Sequence, residues 1–383
     1  MSNRFDFCVL AAVLAMSSSP VHAETRVASG TPSSFMEYIF QGSTPLSATD
    51  KGWHFLAGDY NKDGVMDMYC IKQQGATHTT EVHVLDGKRD YKAFLLHTAT
   101  ILHMTEDNFD FTLGDYNNNG VLDLWAIKKD QTGTSSTEVH ILNGATNFQN
   151  WLVQTGTPLH PTMVGDWDFH AADWNKDGTL DLVLIKQQGA TGTEVHALDG
   201  KTRFRQFSLH SPTVMDKTDS NWSFMVGDYN KDGTMDVFAI KKLGAQGKTK
   251  VHVLNGSNGF QRFLLHTPTC LDHTDKNWAF QVVDVNGDGK EDLLAINMND
   301  QSHTSFSFLN QVTEHMYWID RSIWSGGSVP TIEDTAIIPQ GKAVYADSEI
   351  VVARLEINGD LYIPDPTKTH QANTIDIHIS NMH

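Results

Sequence analysis

Three cysteines in 383 residues are too few to staple a fold. Cys8 falls in an N-terminal leader, and Cys70 and Cys270 occupy apolar positions of repeated segments, where they read as small core residues. Basic residues are also scarce: 28 Lys+Arg stand against 46 Asp+Glu, for a formal charge of −18. Nucleic acid and anionic lipid surfaces need a basic face, so neither suits this chain, whereas cations do. No stretch past the leader reaches the ~18 apolar residues of a membrane span. There is no nucleophile elbow, H-E-x-x-H pair, P-loop or dinucleotide fingerprint, so no catalytic or cofactor-binding residue can be assigned. Long helical periodicity is missing too, which leaves an all-β reading.

Residues 1–23 have the layout of a secretory signal: Arg4, an apolar core from Phe7 to Met16, then Val21-His22-Ala23 as a small-x-small cleavage site. The mature chain is expected to be secreted and extracellular.

What the sequence does have is a repeat. Five segments open at Trp53 (WHFLAGDYNKDGVMDMYCIK), Phe109, Trp167, Trp222 and Trp278, and their first loop aspartates recur every 55–58 residues. A fixed period of this length signals an array, solenoid or propeller. In the first unit, W-x-F-x-x-G leads into an acidic loop. Met68–Ile71 is apolar on both faces, so it should be covered on both sides. Glu81–Leu85 follows a Gly/Thr loop, and Asp86-Gly87 turns the chain toward Tyr91–Leu96. Four short strands per unit, stacked radially, make a five-bladed β-propeller, assigned to residues 24–312. The fifth unit lacks a fourth strand, while Phe35–Gln41 is a fourth strand without a blade. That N-terminal strand is predicted to complete blade five and close the ring, which removes exposed edges.

Each unit carries D-x-N-x-D-G-x-x-D or a near variant. The candidate metal ligands are Asp59, Asn61, Asp63 and Asp67; Asp173, Asn175, Asp177 and Asp181; Asp228, Asn230, Asp232 and Asp236; and Asp284, Asn286, Asp288 and Asp292. The second loop has Asp115, Asn117, Asn119 and Asp123, with an amide at position five. Calcium takes six to eight oxygen ligands, and positions 1, 3 and 5 converge when the chain curls around a glycine. An EF-hand would need Glu at position twelve, where these loops have apolar strand residues such as Cys70 and Leu184. A β-turn alone explains Asp-Gly but not aspartate at both positions one and nine. Up to five calcium ions are expected, and five would shift the formal charge from −18 to −8.

These motifs resemble the FG-GAP/VCBS repeats of integrin α-subunits and of many secreted microbial and fungal proteins, over roughly residues 30–312. The resemblance implies a propeller with a structural calcium between the first two strands of each blade. The family's usual ring has seven blades, and this chain shows five.

His83, His140, His196 and His252 recur on the E-V-H-x-L strand or its K-V-H-V-L variant, and His97, His210 and His266 after the last strand, where Gln41 and Gln154 take the equivalent places. Neither series has the close two-His spacing of a zinc site, so both read as products of duplication. Trp53, Trp167, Trp222 and Trp278 read as blade core. Tyr60, Tyr116, Trp174 and Tyr229, inside the polar loops, have less reason to be buried. The loops Gln73–Thr80, Lys129–Thr137, Gln187–Thr193 and Lys242–Thr249 are where recognition is expected.

Residues 317–383 read as a small C-terminal β-domain of short, solenoid-like strands, by the spacing of their Gly and Asn turns. W-S-G-G-S-V-P at 324–330 and L-E-I-N-G-D-L at 355–361 resemble the opening of the eight-glycine ("G-eight") domain of extracellular proteins. That resemblance implies work on glycans in a domain continuing beyond His383. The sequence thus points to a secreted calcium-binding propeller that recognises a glycan or an extracellular protein. One alternative is the binding part of a larger extracellular polysaccharide-degrading enzyme; another is a scaffold without a ligand.

Overall fold

The second strand of each repeat is covered along nearly its whole length. Asp67–Lys72, Asp123–Lys128, Asp181–Lys186 and Asp236–Lys241 are buried at five of six positions, with Trp125 and Tyr69 essentially inaccessible. Their apolar character on both faces follows from packing between two neighbouring sheets. The computed structural model describes residues 25–27, 35–162, 167–244, 247–300 and 302–311. It also describes 315–317, 324–325, 329–331, 333–338, 343–345, 350–357, 360–362 and 371–377. The expected leader, residues 1–23, lies outside the described residues.

Phe35–Gln311 is one unit, an all-β propeller of five blades. Blade one is an antiparallel sheet of Trp53–Gly58, Asp67–Lys72, Thr79–Leu85 and Phe94–His103. Blades two, three and four repeat it, starting at Phe109, Trp167 and Trp222. In blade five, Trp278–Val283, Asp292–Asp300 and His303–Leu309 are joined by Tyr38–Ser47, with Gln41 opposite Ser307. The N-terminal strand therefore closes the ring as the sequence indicated. Each blade's first strand touches that of the next, and Trp278–Val283 returns to Trp53–Gly58, so these strands surround the axis.

One conformational feature recurs at the joints between blades. Tyr91, Phe148, Phe204, Phe260 and Phe35 take left-handed backbone angles, φ 59–65°, and are buried. Each precedes a fourth strand and lodges its ring between two blades; Phe204 meets Trp125 with ring centres 5.2 Å apart. The left-handed conformation costs about 1–2 kcal/mol, and burying such a ring returns about 1.5–3 kcal/mol.

The second unit comprises the remaining residues at both ends. Thr25–Val27, Thr335–Ile338, Val351–Ile357 and Gln371–Ile377 form one parallel sheet, and His315–Tyr317, Ala343–Tyr345 and Asp360–Tyr362 another. From residue 315 onward the chain alternates between the two, as a parallel β-coil does. Trp324, Ala336, Ile338, Ile350, Val352 and Leu355 form its core.

Candidate metal centres

The acidic loops share one hydrogen-bond pattern. In blade one, Asp59 accepts from the backbone N–H of Asp63 at 3.1 Å and of Gly64 at 2.9 Å. Asn61 accepts from Asp63 N at 3.0 Å, and Asp63 accepts from Val65 N at 3.0 Å. Asp173, Asp228 and Asp284 hold their loops in the same way, as does Asp115 in blade two. Gly64, Gly120, Gly178, Gly233 and Gly289 sit at φ 80–85°, which explains glycine at position six. Position four is also left-handed, and in blades two, three and four its side chain reaches the next loop around the ring. Asn118 donates to Gly178 O at 3.1 Å, Lys176 to Thr234 Oγ1 at 3.3 Å, and Lys231 pairs with Glu291 at 3.3 Å. The five loops thus gather on one face.

Position nine has a task that the sequence did not reveal. Asp67 is fully buried; one oxygen accepts from Tyr60 N at 3.0 Å and the other from Gly87 N at 2.9 Å. Asp123, Asp181, Asp236 and Asp292 do the same for Gly144, Gly200, Gly256 and Gln311. The loop aspartate and the later Asp-Gly or Asn-Gly turn are one structural unit. In blades one to four glycine is required there, since a Cβ on Gly87, for example, would lie 2.1 Å from Met66 O; blade five has Gln311 instead. Burial pushes Asp236 and Asp292 up to about 6 and raises Asp67, Asp123 and Asp181. Asp67→Asn keeps one accepting oxygen but turns its NH2 group against the other backbone donor, leaving both donors unmet. A buried unmet donor costs about 1–3 kcal/mol, so a loss of about 2–4 kcal/mol is expected in urea unfolding with chelator present.

The oxygens of positions one, three and five are a hard, all-oxygen donor set, the chemistry calcium takes. Lys88 Nζ already stands 3.6 Å from Asp63 and Lys201 Nζ 3.4 Å from Asp177, so positive charge is drawn to these carboxylates. Hydrogen bonds from Asn230 and Thr234 hold the Asp232 carboxyl below its ordinary value, so it is ionised at neutral pH. The residues present fit the ion.

Two readings of the sequence are corrected. Tyr60, Tyr116, Trp174 and Tyr229 are half-buried and pack on Tyr69, Trp125, Phe260 and Phe238, with ring centres 5.4–5.9 Å apart. They fill inter-blade joints beneath the polar loops. The histidines meet across the sheet: His83 is paired with His97, His196 with His210 and His252 with His266, with Nδ1–Nδ1 separations of 2.7, 2.9 and 2.7 Å. Sequence spacing alone hid them because the partners lie fourteen residues apart along a hairpin. Burial, then the neighbouring imidazole, pushes His83 and His196 down to about 4. The repeated tryptophans are blade packing as expected, stacked on the Phe two residues on and capped by Lys72, Lys186 or Lys241 in blades one, three and four. Cys70 is buried and Cys270 half-buried.

The first strand runs away from one face toward the acidic loops, since Trp53 pairs with Lys72 at one end and Gly58 with Asp67 at the other. The Gly/Thr loops therefore lie on the face opposite the acidic loops. A cleft of about 600 Å³ opens there between blades one and two, lined by Trp53, Lys72, Gln74, Glu106, Asn108 and Gln131, among others.

Fold and loops together define a propeller of strand–loop–strand repeats. Within it, residues 173–239, from the acidic loop of blade three into the second strand of blade four, match the FG-GAP-like repeat family. No curated protein matches the chain. Among solved structures, an endo-arabinase from Bacteroides thetaiotaomicron aligns at 10% identity and TM-score 0.45, covering 71% of this chain and 98% of its own. An exo-β-1,3-galactanase from Phanerochaete chrysosporium aligns at 9% and 0.42, covering 70% and 64%. A Tc holotoxin pore from Photorhabdus luminescens aligns at 11% and 0.37, covering 76% and 15%.

Proposed function

We propose that this chain is an exported, calcium-stabilised recognition module that binds a glycan. The supporting observation is the division between the two faces. On one, the acidic loops are near-identical and bonded to one another, which suits holding the ring. On the other, the Gly/Thr loops differ from blade to blade, and the cleft beside Trp53 offers amide, carboxylate and amino groups. Such convergent polar groups in a concavity suit a hydroxyl-rich ligand. In this reading residues 1–23 are a leader, residues 24–312 the propeller and residues 317–383 a G-eight-like module. Side-chain oxygens of Asp59, Asn61 and Asp63 and their counterparts hold calcium, which ties each loop together, while Asp67 and its counterparts brace the loop. Among the described residues no helix is long and apolar enough to cross a membrane.

The test is a glycan array probed with the calcium-loaded chain, beside a pull-down against extracellular proteins. Retention on a subset of glycans is expected, weakened at least tenfold in Gln74→Ala/Gln131→Ala without a change in melting. Capture of an extracellular protein with a blank array would favour the protein-binding alternative, and silence in both would remove the recognition reading.

A further inference from the structure

The geometry points to a second kind of metal centre, on the outer part of blades one and three: a site for a divalent transition ion, zinc in the first instance, built from Glu81, His83 and His97 and again from Glu194, His196 and His210. In each group one oxygen and two ring nitrogens, one per residue, lie within 4.8 Å of one another. Two of the three donors are imidazole nitrogens, of borderline softness, unlike the all-oxygen acidic loops, and imidazole with one carboxylate suits zinc, copper or nickel rather than calcium.

The fold supplies the site by simple periodicity. Glu81 and His83 are two apart on one strand and so share a face, and His97 lies directly opposite His83 on the next strand. Glu81 is anchored, its other oxygen accepting from Ala76 N at 2.8 Å; Glu194 accepts from Ala190 N in the same way at 2.6 Å. His83 is 3% exposed, and its Nε2 is buried 3.4 Å from Glu81 Oε2 without a hydrogen bond. His196 Nε2 is equally unmet, 3.2 Å from Glu194 Oε2. A buried ring nitrogen left without a partner beside a carboxylate is costly, about 1–3 kcal/mol, and the same pairing recurs in two blades. His97 and His210 are exposed, so the ion has an entry path. Two nitrogens on one tetrahedral zinc, each at about 2.05 Å, stand about 3.3 Å apart. His83 Nε2 and His196 Nε2 already stand at about that separation from their glutamate oxygens, 3.4 and 3.2 Å, and the exposed His97 and His210 rings turn from their Nδ1 hydrogen bonds to bring a nitrogen onto the ion. Lys72 and Lys186 are the nearby cations that oppose binding, and the glutamates offset them.

The other blades act as internal controls. Blade two keeps Glu138 and His140 but has Gln154 opposite; blade four keeps the His252–His266 pair but has Lys250 in the glutamate's place. Blade five has Ser305 and Ser307 with Gln41 opposite. Only blades one and three are complete.

The experiment is calorimetric titration of the calcium-loaded full chain with zinc chloride. His97→Ala and His210→Ala are each expected to remove one zinc equivalent and the double variant two, with circular dichroism showing the fold intact, since both side chains are exposed. Lys250→Glu is expected to add one equivalent by completing blade four. Background zinc on other histidines cancels in these differences. An unchanged count in the double variant, or no gain in Lys250→Glu, overturns the assignment.

Discussion

Stripping the protein with EDTA is expected to lower its melting temperature by roughly 20–40 °C, and calcium but not magnesium should restore it. At free calcium a hundredfold above Kd, each site adds about 2.7 kcal/mol to the folded state. The four loops with three acidic residues therefore contribute roughly 11 kcal/mol, and a domain of this size shifts about 2–4 °C per kcal/mol. Without the ion, Lys88 and Lys201 stand beside Asp63 and Asp177, but exposed pairs of this kind are worth only about 0–1 kcal/mol. Asp63→Ala and Asp177→Ala should each abolish one calcium equivalent and part of the shift. Asn119→Ala should cost less, because blade two has no charge at that position. The contrast with Asp67→Asn separates the two kinds of aspartate: its penalty persists in EDTA, whereas that of Asp63→Ala fades. Calcium-free and calcium-loaded protein melting together would end the calcium reading.

Excising residues 35–47 is expected to abolish the cooperative transition. The deletion removes the buried Phe35 and Leu46 and the half-buried Phe40, which packs on Phe308 with ring centres 6.0 Å apart. At about 1.5–3 kcal/mol per buried side chain this is roughly 5–9 kcal/mol, against a net stability of about 5–15 kcal/mol for a typical domain. It also bares the edge of His303–Leu309, an invitation to aggregate. A permuted chain distinguishes loss of the strand from damage to the chain's start. Phe35 N lies 2.8 Å from Asn310 O, so blade five can run directly from its third strand into the fourth, as the other four blades do. With Phe35–Ser47 placed after Gln311, the protein should melt close to the native form. A permutant that stays unfolded would show that the strand does more than close the ring.

Period, strand order and closure were all legible in the residues, for a physical reason. Doubly covered strands such as Met68–Ile71 must be apolar on both faces, loops that curl must carry glycine, and a blade short of one strand leaves a matching strand elsewhere. These are local rules, and duplication printed them five times. What only the tertiary structure decided are the pairings across hairpins and between blades. His83 and His97, or Asp67 and Gly87, become neighbours through cross-strand register rather than through spacing in the chain. The polar-loop aromatics such as Tyr60 were misjudged because their burial depends on the adjacent blade, which no single repeat contains. Sequence determines what each blade is; contact between blades and strands determines which of its polar side chains can act together.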